Sequence, residues 1–300
     1  MTEAPLRVGS RRSPLARWQT AEVVRRWTAV RAEGRPIATV YRTPSGDRDR
    51  RRGQSPDFAD ALEAALRDRQ IDVAVHSAKD LPAPLPRGFR LIAGPRRADP
   101  HEALVVAPGH RGVPLPEGAR VGTSSVRRRA QLLRWRPDLR VVELRGNVER
   151  RVAQVLDGRL DAAVLAAAGI LRLGHREWIE RLLPFEGFLP APGQGILGLE
   201  IRSGDRALGR WLGGLAHPAT ARALAAERAV LEAFGGDCDQ PLGALATERA
   251  GRLTVRAERL DLDGRRTVRS RRVGDPDDAG RIGAAAARDL RRIAGRVPGS

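Results

Sequence analysis

A weak internal repeat constrains the fold of this chain more than any other feature of its sequence. The residues RVGS at 7–10 and RVGT at 120–123 each read as the end of a strand that turns into a helix. The segments 71–75 and 160–164 each follow a helical stretch, contain the pattern Asp-x-Ala-Val and are apolar enough for buried strands. Two copies of such a unit predict two similar α/β domains with parallel strands, and a ligand cleft between them at the carboxyl ends of the strands.

Clusters of proline and glycine mark the predicted domain boundaries, at residues 94–100 and 189–195. We expect a first domain at 1–95 with 196–213, a second domain at 100–189, and a small third α+β domain at 217–300. The predicted helices include 58–69, 148–156, 220–234 and 277–294. The predicted strands of the third domain are 242–246, 253–260 and 267–273.

The basic charge of the chain raises nucleic acid binding as a function class. The formal net charge is +18, and clustered cations bind phosphates by releasing counterions. Of the 54 lysine and arginine residues only one, Lys79, is lysine, which indicates a compositional bias along the whole chain. There is no recognition-helix pattern, and one tyrosine and five tryptophans offer few rings for base stacking. We therefore expect no nucleic acid partner, with a salt-dependent nucleic acid binder left as an alternative.

Three features favour a cytoplasmic enzyme or regulator without a membrane partner. The longest uncharged apolar run, residues 162–171, is about half as long as a membrane-spanning helix must be. The first residues contain no apolar export region. The single cysteine, Cys238, cannot form a disulfide within the chain.

Hydroxyl and guanidinium groups follow both copies of the RVG strand, where a helix begins. Free N–H groups at such a helix start favour an anion, and arginine matches carboxylate or phosphate oxygens two at a time. The residues are Ser10, Arg11, Arg12 and Ser13 in the first copy, and Thr123, Ser124, Ser125, Arg127, Arg128 and Arg129 in the second. The set predicts a ligand with several acidic groups. A solvated helix face in an arginine-rich protein is the alternative for any one of these arginines.

The segment His-Ser-Ala-Lys-Asp at 76–80 follows a predicted buried strand and brings Ser77, Lys79 and Asp80 to its carboxyl end. A carboxylate there can exchange protons with a ligand or stabilise a developing cation, and the neighbouring ammonium keeps it charged. We assign no role to His76, because a histidine beside a buried strand is more often a packed, hydrogen-bonded residue. The spacing matches neither a metal site nor a nucleophile with its base.

Cys238 lies in a glycine-flanked loop, residues 235–243, rather than in a helix. Glycines permit a close approach, so the sulfur can project towards the ligand cleft. A lone cysteine is usually a small buried apolar residue, and that alternative stays open. The neighbouring Asp237 and Asp239 would raise the pKa of the thiol rather than lower it.

Seven motifs, taken together, resemble one known family over essentially the whole chain. Their order and spacing are similar to those of hydroxymethylbilane synthase, also called porphobilinogen deaminase. The motifs are RVGSRRSPLARWQ (7–19), DVAVHSAKDLP (72–82), VGTSSVRRRAQL (121–132), LRGNVERR (144–151), LAAAGILRLG (165–174), LPAPGQGILGLEIR (189–202) and GDCDQPLGA (236–244).

The resemblance implies a fold, a reaction and a cofactor. The fold has two periplasmic-binding-protein-like α/β domains and a small third domain that carries the cysteine, in a chain that we expect to be a monomer. Members of the family join four porphobilinogen molecules head to tail, release ammonia at each step, and form hydroxymethylbilane for porphyrin and heme biosynthesis. The chain grows on a dipyrromethane cofactor bound by a thioether, here to Cys238.

The resemblance also implies roles for individual residues. Asp80 is the expected catalytic residue, which stabilises a substrate cation and moves protons. The expected cofactor-binding residues are Cys238, Ser77, Lys79, Thr123, Ser125, Arg127 and Arg128. The expected substrate-binding residues are Arg11, Ser13, Gln19, Phe58, Arg145, Arg151 and Arg172.

Two departures from the family pattern leave a second function open. The segment 43–58 lacks the lysines of a mobile loop that relatives carry, although Arg50, Arg51 and Arg52 can supply the charge. The cysteine loop carries two aspartates beside a site for a polycarboxylate. A divergent, weakly active or inactive paralogue that binds acidic metabolites between two lobes is therefore the alternative, and it would bind porphobilinogen without releasing ammonia.

Overall fold

The computed structural model describes residues 4–30, 36–43, 59–236 and 240–294. The chain divides into two compact units. The first contains Met1–Arg97 and Ile196–Ala221, and the second contains Ala98–Gly195 and Arg222–Ser300. Within the described residues, no helix is both long and apolar enough to cross a membrane.

The described residues form thirteen β-strands and eight α-helices. The strands are β1 Leu6–Arg11, β2 Ile37–Arg42, β3 Val73–Ser77, β4 Phe89–Ala93, β5 Glu102–Val106, β6 Arg120–Gly122, β7 Arg140–Val142, β8 Ala162–Ala166, β9 Arg181–Leu183, β10 Leu197–Arg202, β11 Leu242–Arg249, β12 Arg252–Leu260 and β13 Thr267–Gly274. The helices are α1 Pro14–Val30, α2 Asp60–Arg67, α3 Val126–Trp135, α4 Val148–Leu156, α5 Ala167–Arg172, α6 Arg206–Leu215, α7 Pro218–Ala233 and α8 Ala279–Ala294.

Two five-stranded sheets share one topology. The first unit has the order β2-β1-β3-β10-β4 and the second unit has β7-β6-β8-β5-β9. In each, the first three strands are parallel, whereas β10 and β5 are antiparallel to both neighbours. This confirms the prediction of two similar α/β domains. The strands of the repeated segments are parallel as predicted, whereas β10 and β5, which lie outside those segments, add two antiparallel pairings to each sheet.

The repeated Arg and Asp residues are bonded in the same way in both units. In the first unit, the backbone N–H of Arg7 donates to Oδ2 of Asp72 at 2.9 Å, and Asp72 N donates to Arg7 O at 2.8 Å. In the second unit, Arg120 N donates to Oδ2 of Asp161 at 2.6 Å, and Asp161 N donates to Arg120 O at 3.1 Å. An aspartate therefore supplies the first hydrogen bonds between β1 and β3 and between β6 and β8. The strands β3 and β8 each begin one residue after this aspartate.

The repeated glycine of the RVG motif is required by close packing. A Cβ at Gly9 would lie 2.3 Å from Cδ1 of Ile71, and a Cβ at Gly122 would lie 2.7 Å from Cδ1 of Leu160. Both large side chains belong to segments that enter the neighbouring parallel strand. Because interiors are packed without spare volume, a larger residue at either glycine would push these strands apart.

The third sheet is an antiparallel meander, β11-β12-β13, and α8 packs against β12 and β13. Its apolar residues Val255, Ala257 and Leu290 are fully or almost fully buried. The sheet and the helix confirm the predicted small α+β element at the C-terminal end. The observed strands agree closely with the predicted ones, because antiparallel strands with one buried face carry a clear alternation.

Glu227 of α7 stabilises the second unit from within. Its side chain is fully buried, and its carboxylate accepts from the backbone N–H of Gly193 at 2.6 Å and of Ala246 at 2.8 Å. Glu227 thus links the loop that follows the second sheet to the first strand of the third sheet.

Replacing Glu227 by alanine is expected to lower the free energy of unfolding by about 3 kcal/mol, because two buried N–H groups lose their acceptor. Urea unfolding followed by circular dichroism measures this. Glu232→Ala, at an exposed position of the same helix, is the matched control, with an expected change within about 0.5 kcal/mol. Equal losses in the two variants would contradict the assigned role of Glu227.

Candidate active site

A small polar pocket of about 60 Å³ lies in the first unit, at the carboxyl ends of β1 and β3. It combines a guanidinium, hydroxyls, an amide and a carboxylate, the groups that the sequence placed at these strand ends. The lining residues are Arg11, Ser13, Leu15, Ala16, Gln19, Val75, His76, Ser77 and Asp80.

The turn between β1 and α1 positions the first wall of the pocket. Ser13 Oγ accepts from the backbone N–H of Ala16 at 3.3 Å, and Pro14 is the first helical residue, a favourable position for proline. Ser10 differs from the expectation that it faces a ligand. Its side chain is fully buried and its Oγ donates to Ala16 O, because the hydroxyl is needed to join the strand to the helix.

Gln19 of α1 connects this wall to the end of β3. It is 4 % exposed, and its Nε2 donates to Oγ of Ser77 at 2.9 Å. Since the Ser77 oxygen accepts this hydrogen bond, its own proton can be donated to an acidic group in the pocket.

Asp80 ends the 3-10 turn Ala78–Asp80, which directly continues β3. The backbone N–H of Ala78 donates to Ile196 O at 2.9 Å, which anchors the turn beside β10. Asp80 is half-buried and lines the pocket, whereas Lys79 lies in the same turn outside the set of lining residues. The turn therefore presents one carboxylate at the strand end.

His76 forms a buried pair that the sequence analysis did not find. Its Nε2 lies 2.9 Å from Oε2 of Glu200 on β10, with side-chain exposures of 4 % and 0 %. The sequence led us to expect a packed, hydrogen-bonded histidine. His76 is packed, but its Nε2 has no hydrogen bond among the described residues, and no local pattern indicated that Glu200 would lie beside it.

In the second unit, the equivalent strand end carries Thr123 and Ser125. Ser125 is the N-cap of α3, where its side chain accepts from Arg128 N at 3.4 Å. Thr123 Oγ1 accepts from Ser125 N at 3.2 Å. These bonds order the turn after β6 and leave the start of α3 suited to an anion.

Two buried arginines of α3 share one carboxylate. NH2 of Arg127 lies 2.6 Å from Oε1 of Glu102, and NH2 of Arg128 lies 2.8 Å from Oε2 of the same residue. The side chains are 4 %, 7 % and 0 % exposed for Arg127, Arg128 and Glu102. Burial lowers the pKa of Arg127 from its usual value, and the carboxylate of Glu102 opposes this effect. Glu102 belongs to none of the motifs, so the sequence analysis missed it.

One buried nitrogen of the Arg128 guanidinium, Nε, has no hydrogen-bond partner among the described residues. The NH1 of the same guanidinium donates to Val164 O at 3.2 Å. A buried donor without an acceptor is costly, so a ligand oxygen at this position would relieve the cost. The arrangement, two positive charges on one buried negative charge, fits an acidic ligand.

The other predicted arginines of the second unit bond to nearby groups. Arg145 is exposed and pairs with Glu143 at 2.6 Å. Arg151 Nε donates to Gly146 O at 2.7 Å, and Arg172 NH2 donates to Gly195 O at 2.8 Å. Phe58, Cys238, Asp237, Asp239 and the arginines at 50–52 lie outside the described residues.

Removing the shared carboxylate by Glu102→Gln is expected to lower the free energy of unfolding by about 3–5 kcal/mol, because two buried guanidiniums lose their counter-charge. Chemical denaturation measures the change. Glu143→Gln is the control, since it removes the exposed partner of Arg145 and should cost at most about 1 kcal/mol. A cost for Glu102→Gln as small as that of the control would show that the buried pairs contribute no net stability.

Together, these features define an α/β protein with cationic and hydroxyl groups at the carboxyl ends of its strands, a chemistry suited to an acidic small molecule. Among the described residues, no group of three histidine, cysteine or acidic residues is placed to hold a metal ion. Family comparison makes the class specific. Residues 6–210 match the family model described as "Porphobilinogen deaminase, dipyromethane cofactor binding domain", and residues 221–292 match "Porphobilinogen deaminase, C-terminal domain".

The chain belongs to the porphobilinogen deaminase family, a family of transferases. Similar relatives include the porphobilinogen deaminases of Roseiflexus castenholzii, at 44% identity over 97% of both chains, and of Thermus thermophilus, at 42% over 96% of both. The enzyme of Moorella thermoacetica is 42% identical over 92% of this chain and 90% of its own. The resemblance found in the seven motifs is thereby confirmed.

Solved structures with a similar fold include the periplasmic VFT2 domain of Bordetella pertussis BvgS. It has a TM-score of 0.44 and 18% identity, and the match covers 74% of this chain and 91% of that domain.

Proposed function

We propose that this chain acts as a hydroxymethylbilane synthase, which condenses four porphobilinogen molecules head to tail with release of ammonia. The observation that carries this function is the family match along nearly the whole chain, which includes the Ser-Ala-Lys-Asp turn at the pocket. The same match favours the enzyme over the alternative of a divergent binder of acidic metabolites. The product is a linear tetrapyrrole for porphyrin and heme biosynthesis.

Dipyrromethane is the cofactor named for the domain that matches most of the chain. The residues of the second unit fit such a group, because it carries carboxylates and the buried Nε of Arg128 has no acceptor among the described residues. When bound, the cofactor supplies the primer from which the pyrrole chain grows. We assign its acidic side chains to Ser77, Lys79, Thr123, Ser125, Arg127 and Arg128.

Within this set, Arg127 and Arg128 contribute differently. NH1 of Arg127 donates to Leu189 O at 2.7 Å and to Gln131 at 3.0 Å, and its NH2 pairs with Glu102. Its donors are thus largely engaged inside the protein, so Arg127 acts mainly through its charge and by holding Glu102. Arg128 donates its Nε directly to the ligand.

Cys238 is the attachment point of the cofactor in this proposal. The sequence contains one cysteine, so a thioether on this chain has one possible position. When the cofactor is bound, Cys238 would supply the sulfur of that thioether.

Asp80 carries the chemistry of elongation. At each step the C–N bond of the aminomethyl group breaks and the electron pair leaves with ammonia, so positive charge develops on the substrate. Formation of the new C–C bond would require a pyrrole carbon to lose a proton. A half-buried carboxylate at the pocket stabilises the cation and accepts that proton.

The substrate's acetate and propionate groups require several cationic and polar partners. We assign this role to residues of both units. In the first unit they are Arg11, Ser13, Gln19 and Phe58. In the second unit they are Arg145, Arg151 and Arg172.

We further propose a cytoplasmic monomer with three domains and with neither nucleic acid nor membrane partners. The separate match of residues 221–292 to a C-terminal domain supports the third domain. Pairing of surface arginines with carboxylates, as in Arg222 with Glu248 and Arg272 with Asp289, reduces the field available to a nucleic acid.

Incubation of the purified protein with porphobilinogen tests the function. The expected result is one ammonia released per porphobilinogen consumed, with uroporphyrin I appearing after the linear product cyclises. Intact mass spectrometry should also show the chain carrying two pyrrole units. Binding of porphobilinogen without ammonia release would instead support the two-lobed binder.

A further inference from the structure

Glu258 of β12 is a fully buried carboxylate that the function described above does not use. Its Oε1 accepts from Gln131 Nε2 at 2.7 Å, and its Oε2 accepts from Arg134 NH1 at 3.1 Å and from Arg269 Nε at 3.2 Å. Gln131 and Arg134 belong to α3, the helix that carries the two arginines of the proposed cofactor site. Glu258 therefore joins the C-terminal sheet to that helix.

Gln131 extends this contact towards Arg127. Its Nε2 donates both to Glu258 and to Leu189 O, at 2.8 Å to the latter, and its Oε1 accepts from Arg127 NH1 at 3.0 Å. Residues four apart on a helix lie on the same face, which places Arg127 beside Gln131. Because both acceptors face the NH2 group and the donor faces the oxygen, Glu258, Leu189 O and Arg127 together fix the orientation of this amide.

The network ends at Arg128. Arg127 pairs with Glu102, and Glu102 also pairs with Arg128, whose Nε is buried without a described acceptor. A continuous series of buried contacts thus runs from Glu258 to Arg128: hydrogen bonds join Glu258, Gln131, Arg127 and Glu102, and an ion pair joins Glu102 to Arg128. Glu258 also acts by charge, since its carboxylate raises the pKa of Arg127 against the effect of burial.

Two glycines permit the close approach between the C-terminal sheet and its neighbours around Glu258. Gly243 lies opposite Glu258 on β11, and a Cβ there would come 2.9 Å from Leu189 Cβ and 3.3 Å from Glu258 Cγ. Gly264 in the β12–β13 hairpin has φ +75°, and a Cβ there would lie 2.2 Å from Ala130 O in α3. Gly264 permits the hairpin to lie directly on α3, and Gly243 permits β11 to lie directly against Leu189.

We propose that Glu258 is a positioning residue for the cofactor: through Gln131 and Arg127 it holds Glu102 and Arg128 in the geometry that receives an acidic group. This inference rests on the proposed function. It adds a role for the C-terminal sheet, which contains β12 and immediately follows the cysteine loop in the sequence. The same sheet would then both follow the residue that is bonded to the cofactor and orient the arginines that bind the cofactor's acidic groups.

The test compares Glu258→Met with Glu248→Met. Glu248 also lies in the C-terminal sheet and pairs bidentately with Arg222 at 2.9 Å, but none of its described bonds leads to α3. Each protein is purified from cells that make no porphobilinogen, then loaded with porphobilinogen. The readouts are the loading rate by intact mass and the unfolding temperatures before and after loading.

Glu258→Met is expected to load about tenfold more slowly, since Gln131 loses an acceptor and the arginines lose their orientation. The rise in unfolding temperature on loading should shrink. Glu248→Met should lower both unfolding temperatures equally and load at the wild-type rate. If Glu258→Met behaves like this control, Glu258 has only a structural role and the proposal is overturned.

Glu258→Gln keeps the shape of the side chain, and it decides the question if the methionine variant does not fold. Its single amide oxygen cannot serve both Gln131 and the two arginines, so slower loading is again expected, and a wild-type loading rate overturns the proposal. If the wild-type protein itself takes up no cofactor, the proposed function fails together with this inference. Normal loading by the wild type and the variants alike overturns the inference alone.

Discussion

Cys238→Ala is expected to leave the protein at its bare sequence mass after exposure to porphobilinogen. The reason is chemical: a thioether needs a sulfur, and the chain has no second cysteine to take over. Without a covalent primer, ammonia release and tetrapyrrole formation should fall to background. Intact mass spectrometry and the ammonia assay measure the two effects separately.

Cys238→Ser is the companion variant, because it keeps the size and polarity of the side chain while removing the thiolate nucleophile. It should fold as the wild type does and remain without cofactor. A mass increase of two pyrrole units on either variant would remove Cys238 from the proposed role. A wild-type chain that stays at its bare mass would contradict the covalent cofactor altogether.

Asp80→Asn is expected to lower the rate of porphobilinogen consumption by about 10²–10⁴, the usual effect of removing a positioned acid–base group. Asparagine keeps the shape of the side chain, but it neither offsets a developing positive charge nor accepts a proton. Because the cofactor itself contains a bond between two pyrrole units, the variant is loaded by supplying hydroxymethylbilane rather than porphobilinogen, and it should then carry the cofactor on Cys238. Single-turnover measurements on the loaded enzyme isolate the elongation step from cofactor assembly.

Asp68→Asn provides the matched control for Asp80, since Asp68 is exposed at the end of α2 in the same unit. The substitution removes the same charge at a residue that does not line the pocket. The rate should therefore remain near that of the wild type. Unfolding temperatures of both variants show whether the fold is intact. A rate for Asp80→Asn within a few-fold of the control would assign the proton transfers to another group.

Much of the site could be predicted because its residues follow the two repeated strands. Arg11, Ser13, Gln19, Ser77 and Asp80 line one pocket. A strand that ends in a turn must place the next few side chains at its carboxyl end, whatever the rest of the chain does. Position at a strand end was sufficient to predict Arg11, Ser13, Ser77 and Asp80, whereas Gln19 in α1 was predicted only by the family resemblance; the chemical roles of all five are proposals.

The buried acids could not be predicted in the same way. Glu102, Glu200, Glu227 and Glu258 are each fully buried, and no motif indicated the partners that they have in the structure. Glu102 lies 25 positions from Arg127, and Glu258 lies 127 positions from Gln131. Local sequence patterns indicate which face of a strand or helix is buried. They do not indicate which charged residue from a distant part of the chain will contact that face.

The sequence by itself determined the repeated α/β organisation, the C-terminal α+β element and the residues at the strand ends. These depend on hydrophobic periodicity and on turn residues, which act locally. The contacts of the glycines at positions 9 and 122 and of the aspartates at positions 72 and 161 join segments far apart in the chain, so they belong to the tertiary structure. Only the tertiary structure decided that β5 and β10 run antiparallel and that four buried carboxylates hold the arginines, the histidine and the loops. Burying a charge is favourable only when partners surround it, and the fold alone brings such partners together.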